Sequence, residues 1–301
     1  MADLAAAVEA AVRGSPRLRH LQSVLVSVGG ELRAECYFRA RRPQDLSNVH
    51  SITKSVLGTL VGIAIADGTI ELETRAVEVL PAPPDDPRKG EITVRHLLTM
   101  TAGLDASERS WDIDDIADRG ESFVEGPLAA PLVAPPGTAF SYNNGAAHVL
   151  SALLARRLGR PLLRFAEERL FGPLGIADYR WPADPDGNPI GYGMLELRPH
   201  DVLKLGQLYL DGGRAVVPAD YVAAATKAAT RGGPPETTGY GYLWWVTEDG
   251  FFGGGFAGQY LYVVPALEFV AVTTGDAAVW IPSSASARKL VEDVVATLVD
   301  A

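Results

Sequence analysis

Ser51-Ile52-Thr53-Lys54 sets a hydroxyl and an amine three residues apart at the mouth of an apolar segment. On a helix, positions i and i+3 share a face, so the Lys54 amine can reach the Ser51 hydroxyl without help from a distant loop. A serine hydroxyl becomes a useful nucleophile only when a neighbouring base takes its proton. The residues that follow repeat their apolar members (Ile52, Val56, Leu60, Ile63, Ala64) as a core-facing helix does, and Asp67-Gly68 marks its end. Ser51 therefore falls at the amino end of a predicted helix, where free N–H groups and the helix dipole favour a developing oxyanion. The same pattern recurs at Ser286-Ala287-Arg288-Lys289, ahead of an ordinary amphipathic repeat (Leu290, Val294, Leu298). Spacing alone does not separate a nucleophile from a helix start.

Tyr142-Asn143-Asn144 lies between Pro136-Gly137-Thr138 and a helical pattern that runs to Gly159. A tyrosine at a loop–helix junction can project into a cleft and relay a proton beside a lysine. The Asn144 amide can bind a substrate carbonyl, hold Lys54, or cap the helix. Gly253-Gly254-Gly255-Phe256-Ala257-Gly258 fits G-x-G-x-x-G, but a dinucleotide site needs that run between a strand and a helix. Here it opens a predicted strand, Gln259–Val264, so no cofactor is expected. The glycines instead allow a close backbone approach, suited to a substrate laid along a sheet edge. His20, His50, His96, His148 and His200 show no ligand spacing and Cys36 is the sole cysteine, so no metal site is expected. There is no G-x-S-x-G elbow of the α/β-hydrolase kind. Asp112, Asp114, Asp115, Asp118 and Glu121 read as a solvated face, or as a cleft rim favouring amino-bearing substrates.

The elements that must position these groups follow from period and punctuation. Residues 24–38 alternate around Gly29-Gly30 and predict a β-hairpin with Leu32, Ala34, Cys36 and Phe38 on one face. Strands are predicted over 240–247, 259–264 and 269–274, and helices over 51–66, 94–100, 145–158, 162–170 and 201–210. Further helices at about 4–12 and 286–299 should cover the sheet. The fold class expected is α/β (α+β): an antiparallel sheet flanked by N- and C-terminal helices, with an inserted, mainly helical lobe. All of 1–301 forms one catalytic domain, with a sheet lobe over about 1–50 and 190–301 and a helical lobe over about 51–189. The 301 residues, 47% of them hydrophobic, suffice for a large core. A net charge of −10 argues against nucleic acid and anionic membrane as partners. Asp3 and Glu9 in the alanine-rich N-terminal run speak against a signal peptide, and no apolar run spans a bilayer, so a soluble, cytoplasmic protein is expected. A homo-oligomer is compatible with all of this.

Taken together, S-x-x-K, then Y-x-N, then a glycine-rich strand resembles the serine β-lactamase and penicillin-recognising superfamily, in its class C branch. The likeness extends through 51–68, 92–104, 136–145 and 239–264. Trp111-Asp112, Tyr240-Gly241-Tyr242-Leu243-Trp244-Trp245 and Gly258-Gln259-Tyr260 are similar in flavour to 6-aminohexanoate-dimer hydrolases and related carboxylesterases. The resemblance implies Ser51 as the acylated nucleophile, Lys54 as its proton acceptor and Tyr142 as general acid and base. It implies an oxyanion hole from the Ser51 and Phe256 N–H groups, and substrate contacts from Asn144, Gly253, Gly254, Gly255, Phe256 and Trp111. Penicillin-active members carry Lys-Thr-Gly or a close variant where this chain has Gly253-Gly254-Gly255, so the third-motif cation is missing. The expected activity is hydrolysis of ester or amide bonds in small molecules. A true β-lactamase or D-amino-acid peptidase, and a catalytically silent binding protein of the same fold, are the alternatives.

Overall fold

The structure, a computed structural model, describes residues 4–81, 85–106, 120, 122–279 and 284–299. Helix α1 (Leu4–Gly14) leads into a hairpin of β1 (Leu21–Val28) and β2 (Glu31–Tyr37). Gly29 and Gly30 both take positive φ, 58° and 77°, as a two-residue hairpin turn of type I′ requires at both central positions. Then come β3 (Ser47–Asn48), α2 (Ile52–Ala66), α3 (Val94–Leu98), α4 (Glu125–Ala129), α5 (Asn144–Leu158) and α6 (Leu162–Ala166). They are followed by β4 (Tyr179–Arg180), β5 (Glu196–Leu197), α7 (Pro199–Leu210) and α8 (Ala219–Ala225). The chain closes through β6 (Gly239–Tyr240), β7 (Trp245–Val246), β8 (Phe251–Gly255), β9 (Gln259–Val264), β10 (Phe269–Gly275) and α9 (Ala285–Val299).

The main sheet runs β2-β1-β10-β9-β8-β7-β6 and is antiparallel throughout. The N-terminal hairpin therefore lies directly against the last strand, and the helical segments between them are an insertion. Alternation along the strands sorts the covering helices. Leu261 and Val270 meet Gly206 of α7, where a Cβ would come within 2.6 Å and 2.5 Å of them. Phe252 and Tyr262 stack at 5.3 Å on the opposite face, beneath Arg288 of α9. A second sheet, β3-β5-β4, delivers the chain into α2.

Helix α2 is the axle of the molecule. A one-sided apolar stripe was expected, yet every residue from Ile52 to Ala64 is buried, because α2 is enclosed by both the sheet and the inserted helices. Full burial of each large aliphatic side chain here contributes about 1.5–3 kcal/mol. Three further expectations change. Leu32 is 41% exposed, since the register slips between Val26↔Ala34 and Ser27↔Leu32 and this bulge breaks the alternation. Residues 240–247 form a tight hairpin, with Tyr240 paired to Trp245 and Leu243 at φ 60°. The glycines 253–255 belong to their own strand, β8, paired with β9 through Gly255↔Gln259. Among the described residues no helix is long and apolar enough to cross a membrane.

Candidate active site

Ser51 is the N-cap of α2, yet its side chain makes no capping bond. Serine at that position ordinarily bonds an N-terminal N–H, a contact whose loss costs about 0.5–2 kcal/mol. Here the hydroxyl faces other partners. Lys54 Nζ lies 2.9 Å from Ser51 Oγ and donates to the Tyr192 carbonyl, also at 2.9 Å. The Tyr142 hydroxyl is near enough to the Ser51 side chain to feel it electrostatically, and Lys54 Nζ sits 4.7 Å from the centre of the Tyr142 ring. The three groups that sequence spacing singled out thus lie together at one point.

Burial sets the electrostatics. Lys54 is 1% exposed and burial pushes its amine well below the usual lysine range, with no charged partner to offset the effect. A neutral amine has a lone pair to receive a proton. Burial moves the Tyr142 phenol the other way, upward, against the counteracting influence of Ser51. Its proton is therefore held at neutral pH. Tyr142 is fixed by stacking on Trp245 at 5.4 Å and by the edge of Tyr240 at 6.2 Å.

The backbone before Ser51 is strained. His50 holds φ 46°, a left-handed conformation that costs a non-glycine residue on the order of 1–3 kcal/mol. The His50 N–H donates to Asn48 Oδ1 at 2.8 Å, which anchors the bend to β3. Ile52, Thr53 and Lys54 N–H groups bond back to Val49, His50 and Ser51 carbonyls, so the Ser51 N–H stands ahead of that ladder. The His50 ring meets Phe256 edge-on at 5.8 Å. Gly255, just before Phe256, packs against this same bend: a Cβ there would lie 2.7 Å from the Val49 carbonyl oxygen. Glycine is required at that position by the close approach of the chain that carries Ser51.

A cleft of about 270 Å³ opens over Ser51 and Tyr142, walled by Trp245, Gly254, Gly255 and Phe256 among others. Phe256 is 64% exposed at its rim. Two expected substrate contacts are corrected. Gly253 faces α2, where a Cβ would meet Ser55 Oγ at 3.0 Å and Ile52 at 3.5 Å, and it does not line the cleft. A lysine there would have to thread into the core, so the missing cation is a matter of packing as well as charge. Asn144 is the first residue of α5 and its Oδ1 is buried without a partner, so it does not hold Lys54. The cap is Asn143, whose side chain accepts from the Ala146 N–H at 3.0 Å. Trp111 and the acidic stretch from Asp112 to Glu121 lie outside the described residues.

Sequence reasoning passed over several groups. The Tyr192 carbonyl that holds Lys54 is a backbone atom in a loop and has no sequence signature. Behind it, buried His148 meets Asp184 at 2.9 Å and accepts from the Gly191 N–H at 3.3 Å, which pins the loop. Trp245 lay within the aromatic run but its stacking on Tyr142 depends on the hairpin. Glu236 also lines the cleft. Burial pushes its carboxyl up, and the hydrogen bonds from Tyr260 and Arg288 offset that rise only in part.

Known proteins share sequence and fold with this chain. Lovastatin esterase of Penicillium rubens is 27% identical over 199 residues, 58% of this chain and 49% of that enzyme; the chain thus spans about half of that relative's length. The 6-aminohexanoate-dimer hydrolase of Paenarthrobacter ureafaciens is 25% identical over 281 residues, 82% of this chain and 70% of the relative. Among solved structures, EstCE1, a hydrolase with promiscuous acyltransferase activity, superposes with a TM-score of 0.76 at 18% identity. That match covers 91% of this chain and 93% of EstCE1, and carries the fold. A sequence model of the family described as Beta-lactamase matches residues 18–296, nearly the whole chain, and the chain belongs to that family.

Proposed function

We propose that this chain is a serine hydrolase that cleaves ester or amide bonds of small molecules through an acyl-enzyme on Ser51. The observation that carries the reading is the buried Lys54 amine, 2.9 Å from the Ser51 hydroxyl and without a counter-charge. As Ser51 Oγ bonds to the substrate carbonyl carbon, its proton passes to the neutral Lys54 amine. The carbonyl electrons move onto oxygen, which the Ser51 and Phe256 N–H groups receive at the helix end. Collapse of that intermediate breaks the bond to the leaving group, which takes the Tyr142 proton while Lys54 returns one to Tyr142. Water then repeats the sequence on the acyl-enzyme and frees Ser51. Tyr142 suits this role because its proton is firmly held until a stronger base appears beside it.

Relatives named lovastatin esterase and 6-aminohexanoate-dimer hydrolase support a hydrolase reading, the first of them on an ester. Esters are the favoured class here, because an unstrained amide has the poorer leaving group and, among the described residues, the cleft shows no cation for a β-lactam carboxylate. The test is a fluorophosphonate probe followed by peptide mass mapping, together with turnover of nitrophenyl butyrate. Labelling at Ser51 with ester turnover is expected. An unlabelled Ser51 in folded protein, with no ester hydrolysed, would indicate a silent binding protein of this fold.

A further inference from the structure

Glu236 is the one side chain with a formal charge at neutral pH among the described residues that line the cleft. It is built in. Its side chain is 12% exposed, Oε1 accepts from the Tyr260 hydroxyl at 2.9 Å, and Oε2 accepts from Arg288 Nη1 at 2.6 Å. Arg288 Nη1 also donates to the Glu236 backbone carbonyl at 3.3 Å. The guanidinium does not reach the cleft. It lies 5.6 Å over the Phe252 ring, with Nε 3.2 Å from the Glu292 carboxylate. Two carboxylates share one cation, so this cluster carries an excess negative charge and its open side is the cleft. Each carboxylate oxygen has a second lone pair beyond the bond it already accepts. An ionised carboxylate held in place by fixed donors favours a cationic donor over a neutral one, because the charge-assisted bond is the stronger. An anionic substrate would meet Glu236 before it met Arg288.

We propose that Glu236 determines specificity in this cleft by receiving a protonated amine carried by the substrate, so that the preferred substrates are amino-bearing esters or amides. The inference rests on the serine-hydrolase reading above and names its substrate class. It assigns the choice of substrate to Glu236 on the cleft wall, while Ser51, Lys54 and Tyr142 carry out the bond cleavage.

The experiment compares kcat/KM for pairs that differ only by an ammonium in place of a methyl group. Nitrophenyl esters of β-alanine and butyrate place the amine on the acyl side; 3-aminopropyl butyrate and butyl butyrate place it on the leaving side. Wild-type protein should favour the ammonium member of at least one pair by about 10-fold or more. Glu236→Gln should bring that ratio close to unity. It should also raise the mononitrophenyl ester of succinate relative to the butyrate ester, since the wall carboxylate that repels an anion is then gone. Wild-type ratios at or below unity in both pairs would overturn the inference with no variant needed. So would a preference that persists unchanged in folded Glu236→Gln. Ser51 labelling separates the two failures: a labelled, ester-cleaving enzyme with flat ratios removes the role of Glu236 alone, whereas no labelling and no turnover remove the hydrolase reading and this inference with it.

Discussion

Ser51-Ile52-Thr53-Lys54 and Ser286-Ala287-Arg288-Lys289 write the same pattern at the starts of two helices, and the two lysines live in opposite worlds. Lys54 is 1% exposed, bonded to Ser51 and Tyr192, and its amine is pushed down by burial. The Lys289 side chain is 72% exposed, and its pairing with Asp293 at 2.8 Å pushes its pKa up. One turn of helix supplies proximity in both places. What differs is water. In the first copy the helix is sunk into the protein and the amine must shed charge; in the second the amine keeps its charge and takes an ordinary i,i+4 partner. The second copy still bears on the site, through Arg288, which holds Glu236 at the cleft wall.

The largest test of this contrast is deletion of each hydroxyl. Ser51→Ala should reduce ester turnover by ~10³-fold or more, leaving the residue of binding and oxyanion stabilisation. Ser286→Ala should leave turnover unchanged. Loss of activity in the second variant, or its retention in the first, would break the contrast.

Next come the lysines. Lys54→Ala and Tyr142→Phe should each lower kcat by roughly 10²- to 10⁴-fold, and the double variant should fall little further, because groups that act as a unit are non-additive. Multiplicative losses would assign them independent roles. Lys289→Ala should match wild type in the same assay.

A smaller effect concerns Arg288. With the Arg288 guanidinium committed to Glu236 and Glu292, the substrate carboxylate of a cephalosporin finds no free cation among the described residues of the cleft. A charge-assisted bond forgone at about 1.5–3 kcal/mol predicts nitrophenyl butyrate ahead of a chromogenic cephalosporin by roughly 10- to 150-fold in kcat/KM. A cephalosporin that is turned over faster would mean that Arg288 swings free of Glu236.

The smallest effect is in stability against pH. The folded pKa of Lys54 lies below its unfolded value near ~10.4, so between those two values the unfolded chain binds the extra proton and stability rises with pH. Below the folded pKa the cost of burying the amine is fully present. Lys54→Met should therefore gain more over wild type as the pH is lowered, and the difference in Tm should shrink as the pH approaches ~10. The raised pKa of Lys289 has the opposite sign, and its contribution is lost as pH rises through the folded value. Solvent screening makes that contribution small, so Lys289→Met should show almost no trend. Parallel pH profiles for the two variants would remove desolvation as the distinguishing cause.

The sequence by itself determined the order of the fold and the identity of the candidate site groups. Gly29-Gly30 specify their hairpin through backbone φ alone, and the apolar run from Ile52 to Ala64 specifies a buried helix with Ser51 at its mouth. Those are local facts, encoded in residues a few positions apart. Tertiary structure decided the rest, because it depends on groups distant in sequence. Which serine and lysine are chemically poised follows from desolvation, and desolvation comes from the sheet and helices that close over α2. Gly253 faces Ser55 and Ile52, and Gly255 meets the bend at Val49 and His50, because β8 lies against the start of α2. Asn143, one residue before the expected position, became the cap because the α5 turn begins there. Glu236 entered the cleft through Tyr260 and Arg288, 24 and 52 residues away along the chain. A carboxylate in a loop has no period to betray it, and only its partners across space fix where it points.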